Sequence, residues 1–177
     1  MRLVLLYASK CLLLFANFQA KQMIQRKQSL YFLAALILIL LPLFGTSFFN
    51  YFSEEGMEYS YNAFNFKQVG SGPLILNKGF EWILILIISL ILVLAIFSFK
   101  NRKRQIQLGW LAFTMNVLTS AIIVFHAFLF ESAHKTDASL VIEMTFFAFA
   151  SAFLFIFLGI QGVRKDKKLV DSLNRLR

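Results

Sequence analysis

His126 and Glu143 are the two residues of this sequence whose types are best suited to chemistry. An imidazole beside a carboxylate can share a proton near neutral pH, and the carboxylate can raise the imidazole pKa. The two residues lie eight or nine positions on either side of a short connection centred near residues 134 and 135. If the flanking segments are antiparallel helices, both side chains lie at the same depth. The spacing therefore predicts a proton or cation site, or a sensor of external pH.

A plainer interpretation of this pair stays open. Glu143 would cap the start of the following helix, and His126 would hydrogen-bond a backbone carbonyl. Asn116 and Thr119 share a stripe with His126 at helical spacings of three and four residues. This polar stripe predicts an inward-facing helix surface, which would serve either a transport pathway or hydrogen bonds between packed helices.

Few other groups in the sequence could support catalysis. Cys11 is the single cysteine, so paired-thiol chemistry and an intramolecular disulfide are excluded. The sequence has no Gly-x-x-x-x-Gly-Lys loop for phosphates, no His-Glu-x-x-His zinc pair and no Gly-x-Ser-x-Gly nucleophile elbow. We therefore expect no enzyme activity, no cofactor and no metal site.

The elements that must position these residues are predicted from composition. The chain has 177 residues, of which 59% are hydrophobic and 15% charged, whereas soluble proteins average about half and a quarter. A bilayer core needs roughly 20 apolar residues per helix. Four runs of about that length occur, at about 30–49, 82–99, 108–130 and 140–163. The sequence thus predicts an all-α integral membrane protein with four transmembrane helices.

The distribution of charge predicts the orientation of these helices. Fifteen of the 18 Lys and Arg residues lie in segments 1–29, 100–104 and 164–177, and seven of the nine acidic residues lie on the opposite side. Because basic residues concentrate on the cytoplasmic side, we expect both termini in the cytoplasm and the protein in the cytoplasmic (inner) membrane. The same asymmetry explains the net charge of +9 without nucleic acid, which we exclude as a partner.

The outer loop, residues 50–81, has a pattern of its own. Tyr59 and Tyr61 alternate with polar residues, which is typical of a strand. A change of phase at Ala63 indicates a bulge, and residues 70–73 form a turn signal. We expect a small β-hairpin over the bundle, which would either bind a ligand or partner or cover the outer face of the helices.

The two ends of the chain are interpreted separately from the bundle at 23–163. Residues 1–22 fit an interfacial helix, a secretory signal, or translated sequence upstream of a start at Met23. Residues 164–177 predict a basic amphipathic tail on the anionic leaflet, and docking of a cytosolic protein onto the same face stays open.

Both ends of the bundle-forming region carry a family resemblance. From Met23 the chain reads Met-Ile-Gln-Arg-Lys-Gln-Ser-Leu-Tyr, and its basic tail ends Arg-Leu-Arg. These segments resemble an uncharacterised bacterial family of small four-span membrane proteins, known as domain of unknown function 4293. The resemblance covers 23–177 and implies a multi-pass protein of the cytoplasmic membrane. It implies no activity, cofactor or catalytic residue.

Two functions are therefore expected from the sequence. The first is a non-enzymatic accessory or envelope assembly protein, held in the lipid bilayer and acting on a membrane-protein partner or as a homo-oligomer. The second is a small transporter, channel subunit or pH sensor that uses His126 and Glu143.

Overall fold

A computed structural model describes residues 27–52, 58–69, 74–134 and 139–175 of the chain. Four α-helices occur in these ranges. They are α1 (Lys27–Leu40), α2 (Glu81–Phe97), α3 (Arg102–His134) and α4 (Met144–Arg175). Helix α1 passes into a 3₁₀ turn, Leu41–Phe44, because Pro42 has no amide hydrogen to continue an α-helix. Gly45 then adopts a left-handed φ of 81°, which ends the turn and directs the chain into the first strand.

A five-stranded antiparallel sheet accompanies the helices in the described part of the chain. Its strands are β1 (Ser47–Phe52), β2 (Glu58–Asn62), β3 (Asn65–Val69), β4 (Leu74–Lys78) and β5 (Ser139–Ile142). The spatial order is β4-β3-β2-β1-β5. Strand β5 comes from the connection between α3 and α4 and pairs with β1, with Phe49 opposite Ile142. The sheet therefore joins the two distant connections of the helical region.

The predicted all-α fold with four transmembrane helices is wrong. Two helices in the described ranges are long and apolar enough to cross a membrane, over Arg102–Leu129 and Met144–Leu169. The remaining apolar helices, Ser29–Phe44 and Glu81–Phe97, are shorter than the roughly 20 residues that a crossing needs. The sheet is also larger than the expected hairpin and includes strands outside the loop at 50–81.

The error has a physical cause at both ends of the sheet. Residues 47–49 extended the predicted first span, and 140–142 began the predicted fourth, but they belong to β1 and β5. Residues 48–49 and 140–142 are continuous apolar runs, and such a run has the same composition as part of an apolar helix. The predicted bulge at Ala63 is also wrong. The Asn62 side-chain oxygen accepts hydrogen bonds from the amides of Phe64 and Asn65, at 3.1 and 2.9 Å, and closes a turn between β2 and β3. The predicted turn at 70–73 lies outside the described residues.

Close helix packing centres on the aromatic ring of Phe32, which is fully buried in α1. A Cβ atom added at Gly159 of α4 would lie 2.9 Å from Phe32 Cε1, and one added at Gly109 of α3 would lie 2.7 Å from Ile160 Cγ1. The two glycines thus allow α1, α3 and α4 to approach one another closely, as small residues do in packed membrane helices.

Candidate functional site

A fully buried carboxylate lies where the sheet meets the helices. Glu81 is the first residue of α2, and its side chain has no exposed surface. Its Oε1 accepts a hydrogen bond from the Tyr61 hydroxyl of β2 at 2.6 Å. The same oxygen lies 2.8 Å from Nδ1 of His126 in α3. Tyr61, Glu81 and His126 are called the Tyr-Glu-His cluster below, and they join one strand and two helices.

Backbone hydrogen bonds place Glu81 beside this strand. The Gly79 amide donates to the Phe64 carbonyl at 2.8 Å, and the Trp82 amide donates to the Ala63 carbonyl at 3.2 Å. These two bonds hold the start of α2 against the turn between β2 and β3. The amino end of a helix favours a negative charge, so this position suits a carboxylate. A Cβ atom at Gly79 would lie 2.6 Å from Glu81 Oε2, so the close approach requires glycine.

The protons of the cluster follow from the chemistry of its three groups. Burial first, and then the hydrogen bond and charge of Glu81, raise the pKa of Tyr61 far above its ordinary value of 10.0. Tyr61 is therefore a neutral donor to the carboxylate. A carboxylate oxygen accepts hydrogen bonds, so a proton on His126 Nδ1 would form the second hydrogen bond to Oε1. The His126 side chain is 33% exposed, which gives the cluster an opening at its edge.

The second oxygen of the carboxylate distinguishes this cluster from a fully satisfied ion pair. Glu81 Oε2 is buried and has no hydrogen-bond partner within residues 27–52, 58–69, 74–134 and 139–175. An unpaired buried oxygen is costly, and it is the position at which a further proton or donor would be stabilised. The ring of Phe80 meets the His126 ring edge-on, with 5.6 Å between the ring centroids. The arrangement therefore holds a buried, incompletely paired carboxylate beside a partly exposed imidazole.

Comparison with known proteins places the whole region in one family. A family model described as Domain of unknown function (DUF4293) matches residues 24–176. The chain belongs to this family. The match includes the Tyr-Glu-His cluster, all four helices and all five strands of the described residues, so the DUF4293 region and the fold coincide. No curated protein matches the chain.

In this DUF4293 protein the predicted pairing of His126 with Glu143 is not formed. His126 contacts Glu81, whereas Glu143 Oε1 accepts a hydrogen bond from the Asn50 side chain of β1 at 2.8 Å. Glu143 directly precedes α4, and its amide donates to the Phe48 carbonyl at 3.0 Å. Equal depth along two helices leaves the rotation about each helix axis undetermined. The strand at 139–142 also fixes Glu143 to the sheet rather than to α3.

Asn116 and Thr119 are buried in α3, on the inward face that their spacing predicts. The Asn116 amide donates to the Phe149 carbonyl of α4 at 3.4 Å, and Thr119 donates within its own helix to the Met115 carbonyl at 2.9 Å. Asn116 precedes His126 by ten residues, about 15 Å along a helix. These contacts connect helices, and neither side chain belongs to the cluster.

The sequence reasoning missed Glu81 and Tyr61. The distribution of charge predicts only that Glu81 lies on the outer side, and the alternation of residue types predicts only that Tyr61 lies in the hairpin. A usable signal was present, because Glu81 is an acid directly before a run that contains no further charge through Phe99. Among the described residues no group of three or more His, Cys, Asp or Glu is placed to hold a metal ion.

Proposed function

We propose that this DUF4293 protein resides in the membrane and acts by non-enzymatic interaction, with its sheet as the part that meets a partner. The observation that carries the membrane assignment is the exposure of large apolar side chains on the helices. Leu90 of α2 is 60% exposed and Phe128 of α3 is 64% exposed. Apolar surface of this extent is unfavourable in water and is typical of contact with lipid or protein.

The two long helices support the same assignment. In the most apolar stretches of α3 and α4, 28% and 33% of the residues are buried. A core helix of a water-soluble protein would be mostly covered by its own chain, so lipid supplies the missing contacts in this proposal. α1 and α2 pack against the long pair.

Charge gives the proposed direction of the two crossings. α3 begins with Arg102, Lys103 and Arg104, and α4 carries its basic residues after Val163. The basic end is therefore assigned to the cytoplasm, and the sheet to the opposite side of the cytoplasmic membrane. This assignment leaves the sheet free to meet a partner outside the bilayer.

Strand β5 is the proposed point of contact. It lies at the edge of the sheet, and Leu140, Val141 and Ile142 are each more than a third exposed. An apolar edge strand can pair with a strand of another chain. The partner is either a second membrane protein or another copy of this chain, consistent with an accessory or envelope assembly role.

Mild-detergent pull-down with mass spectrometry tests this function. The wild-type chain is expected to retain a reproducible partner or to run as an oligomer, and Val141→Lys is expected to lose it because a charge blocks edge pairing. Ser60→Lys is the matched control, since Ser60 and Val141 both pair with Asn50 but Ser60 lies in the central strand β2. A monomer from several detergents, or equal loss in both variants, would contradict the proposal.

A second candidate function, sensing of external pH, is favoured by the Tyr-Glu-His cluster. His126 is partly exposed and is faced by two titratable groups from other elements, Tyr61 and Glu81. A change of proton occupancy alters the contact that ties β2 to α2 and α3. The protection of β2 amides from hydrogen exchange, corrected for the intrinsic pH dependence of the exchange rate, is expected to differ between pH 5 and pH 8 in the wild type and to be constant in His126→Gln. Glu143→Gln is the control and should keep the wild-type response; the same response in His126→Gln would exclude this role.

A further inference from the structure

A second group of buried polar side chains lies at the end of the helices away from the sheet. Gln105 of α3 is fully buried, and neither its side-chain oxygen nor its nitrogen has a hydrogen-bond partner among the described residues. The Ser29 hydroxyl of α1 and Arg102 Nε are also buried, with no partner in the part of the chain that the structure describes. Buried polar atoms are almost always hydrogen-bonded, so four unpaired atoms in one region indicate a missing partner.

Helix contacts place two of these residues in one layer. The ring of Phe32 lies 3.5 Å from the position of a Cβ on Gly109, so α1 and α3 meet there. Both helices run away from the basic end. Ser29 precedes Phe32 by three residues and Gln105 precedes Gly109 by four, so each lies one turn closer to that end on the same inward face. The two side chains therefore lie at the same level of the helices.

Helix α4 closes this layer from its third side. Its direction is opposite, and Ile160 packs on Gly109. Val163, three residues further, is fully buried and lies at the level of Gln105. Its neighbour Arg164 stacks over the ring of Trp110, with the guanidinium 5.3 Å from the ring centroid. The layer is thus apolar on α4, polar on α1 and α3, and flanked by a fixed cation.

The charge around this layer favours an anion. Four of the five residues in 100–104 are Lys or Arg, and four of the five in 164–168 are Lys or Arg, with Asp166 as the single acid. The amino end of α3 adds the positive end of a helix dipole, although Asn101 already caps the Arg104 amide at 3.2 Å. Basic pockets between helices at the cytoplasmic surface bind anionic headgroups.

We infer that Ser29 and Gln105 of this layer, with Arg102 about one turn closer to the basic end, bind the headgroup of an anionic phospholipid through a phosphate that carries a neighbouring hydroxyl. The Ser29 hydroxyl, the Gln105 amide N–H and Arg102 Nε–H are three donors suited to phosphate oxygens. The Gln105 oxygen needs a donor in return, which a glycerol hydroxyl of the headgroup supplies. The inference rests on the membrane placement proposed above, and free glycerol phosphate offers the same chemistry.

Fluorescence of Trp110 provides a direct readout. The chain has two tryptophans, so Trp82→Phe leaves Trp110 as the only one, beside Arg164 at the proposed site. The purified full-length protein in non-ionic detergent is titrated with phosphatidylglycerol, phosphatidylcholine or glycerol phosphate. We expect saturable binding of phosphatidylglycerol with an apparent Kd at least tenfold below that of phosphatidylcholine. Gln105→Leu is expected to weaken phosphatidylglycerol binding at least fivefold.

Gln107→Leu is the matched control, because Gln107 is exposed on the same helical turn. Gln107→Leu should bind phosphatidylglycerol as tightly as the parent protein does. If Gln105→Leu fails to fold, Ser29→Ala provides a second test, with an expected loss of at least threefold in phosphatidylglycerol affinity. Equal binding by all variants would overturn the inference and indicate an ordered water only. Glycerol phosphate binding as tightly as the lipid would assign the site to a free phosphate and also overturn it. The membrane placement is tested separately, by the side of the membrane on which the sheet is labelled. Failure of the lipid site and failure of the membrane placement are therefore distinguishable.

Discussion

Glu81 is the residue on which the cluster depends, because its carboxylate is fully buried. A buried charge is tolerated when donors and positive potential surround it. The Tyr61 hydroxyl donates to Oε1, His126 Nδ1 lies within hydrogen-bond distance of it, and the start of α2 adds the positive end of its dipole. Oε2 has none of these partners, so its environment is set by the backbone at Gly79. The geometry of the cluster is therefore sensitive to atoms added at that position.

Gly79→Ala is expected to displace the Glu81 carboxylate. The added Cβ would lie 2.6 Å from Oε2 and 3.0 Å from the Ala63 carbonyl oxygen, and neither backbone nor carboxylate can remain in place. We expect a loss of about 1–3 kcal/mol in the free energy of unfolding, the usual range for overpacking. The measurement is the free energy of unfolding in detergent of Gly79→Ala, Glu81→Gln and the double variant. Non-additive losses are expected because both changes act on one carboxylate, and additive losses would contradict the argument.

Tyr61 makes stability depend on pH in the alkaline range. Its pKa is raised on folding by burial and then by Glu81, so above pH 10 the unfolded phenol loses its proton while the folded one keeps it. The unfolded state then binds fewer protons, and the free energy of unfolding falls by about 1.4 kcal/mol per pH unit from this group. Unfolding of the wild type and Tyr61→Phe between pH 8 and 11 is the measurement. The difference in unfolding free energy between the two proteins should be constant below about pH 9 and shrink above pH 10. Stability curves that stay parallel over the whole pH range would contradict the prediction.

The apolar runs of the sequence predict helices, but they do not show where the chain changes from helix to strand. Strands β2 and β3 fall within the predicted hairpin because one face is polar, as the pairs Tyr59–Ser60 and Tyr61–Asn62 show. β1 and β5 have no such alternation, so the sequence pattern assigns parts of them to the neighbouring apolar helices. Their pairing across the fold is a long-range contact, which local patterns do not encode. For the same reason His126 was recognised as a candidate while its partner Glu81, 45 residues away, was not.

Packing of the helices depends on Gly159. In Gly159→Ala the new methyl would meet three ring atoms of Phe32 at 2.9 to 3.1 Å, so α1 and α4 must separate. A loss of about 1–3 kcal/mol in unfolding free energy is expected from overpacking. Phe32→Leu in the same chain removes the ring and should recover part of the loss, which a double-mutant cycle of unfolding in detergent measures. A cycle without coupling would show that the ring does not limit the approach of the helices.

The whole molecule is polarised along its helices. One end carries the sheet and the Tyr-Glu-His cluster, and the other carries basic residues in 100–104 and 164–168. Between them the helices expose apolar side chains such as Leu90, Phe128 and Leu154. Lipid around this middle region would leave the two ends in separate aqueous compartments. The sheet and the basic end are then accessible from opposite sides of one membrane.

Labelling of single cysteines tests that separation. In a Cys11→Ser background, Asn65→Cys places a thiol at the start of β3, and Lys168→Cys places an exposed one at the basic end. A membrane-impermeant maleimide is expected to label Asn65→Cys in intact cells and Lys168→Cys only after permeabilisation, because basic segments are retained in the cytoplasm. Full labelling of both after permeabilisation controls for access to each thiol. Labelling of Lys168→Cys in intact cells would show that the orientation is the reverse of the proposed one. Recovery of the chain in the soluble fraction without detergent would contradict the membrane assignment, because the exposed apolar surface would then be covered in another way.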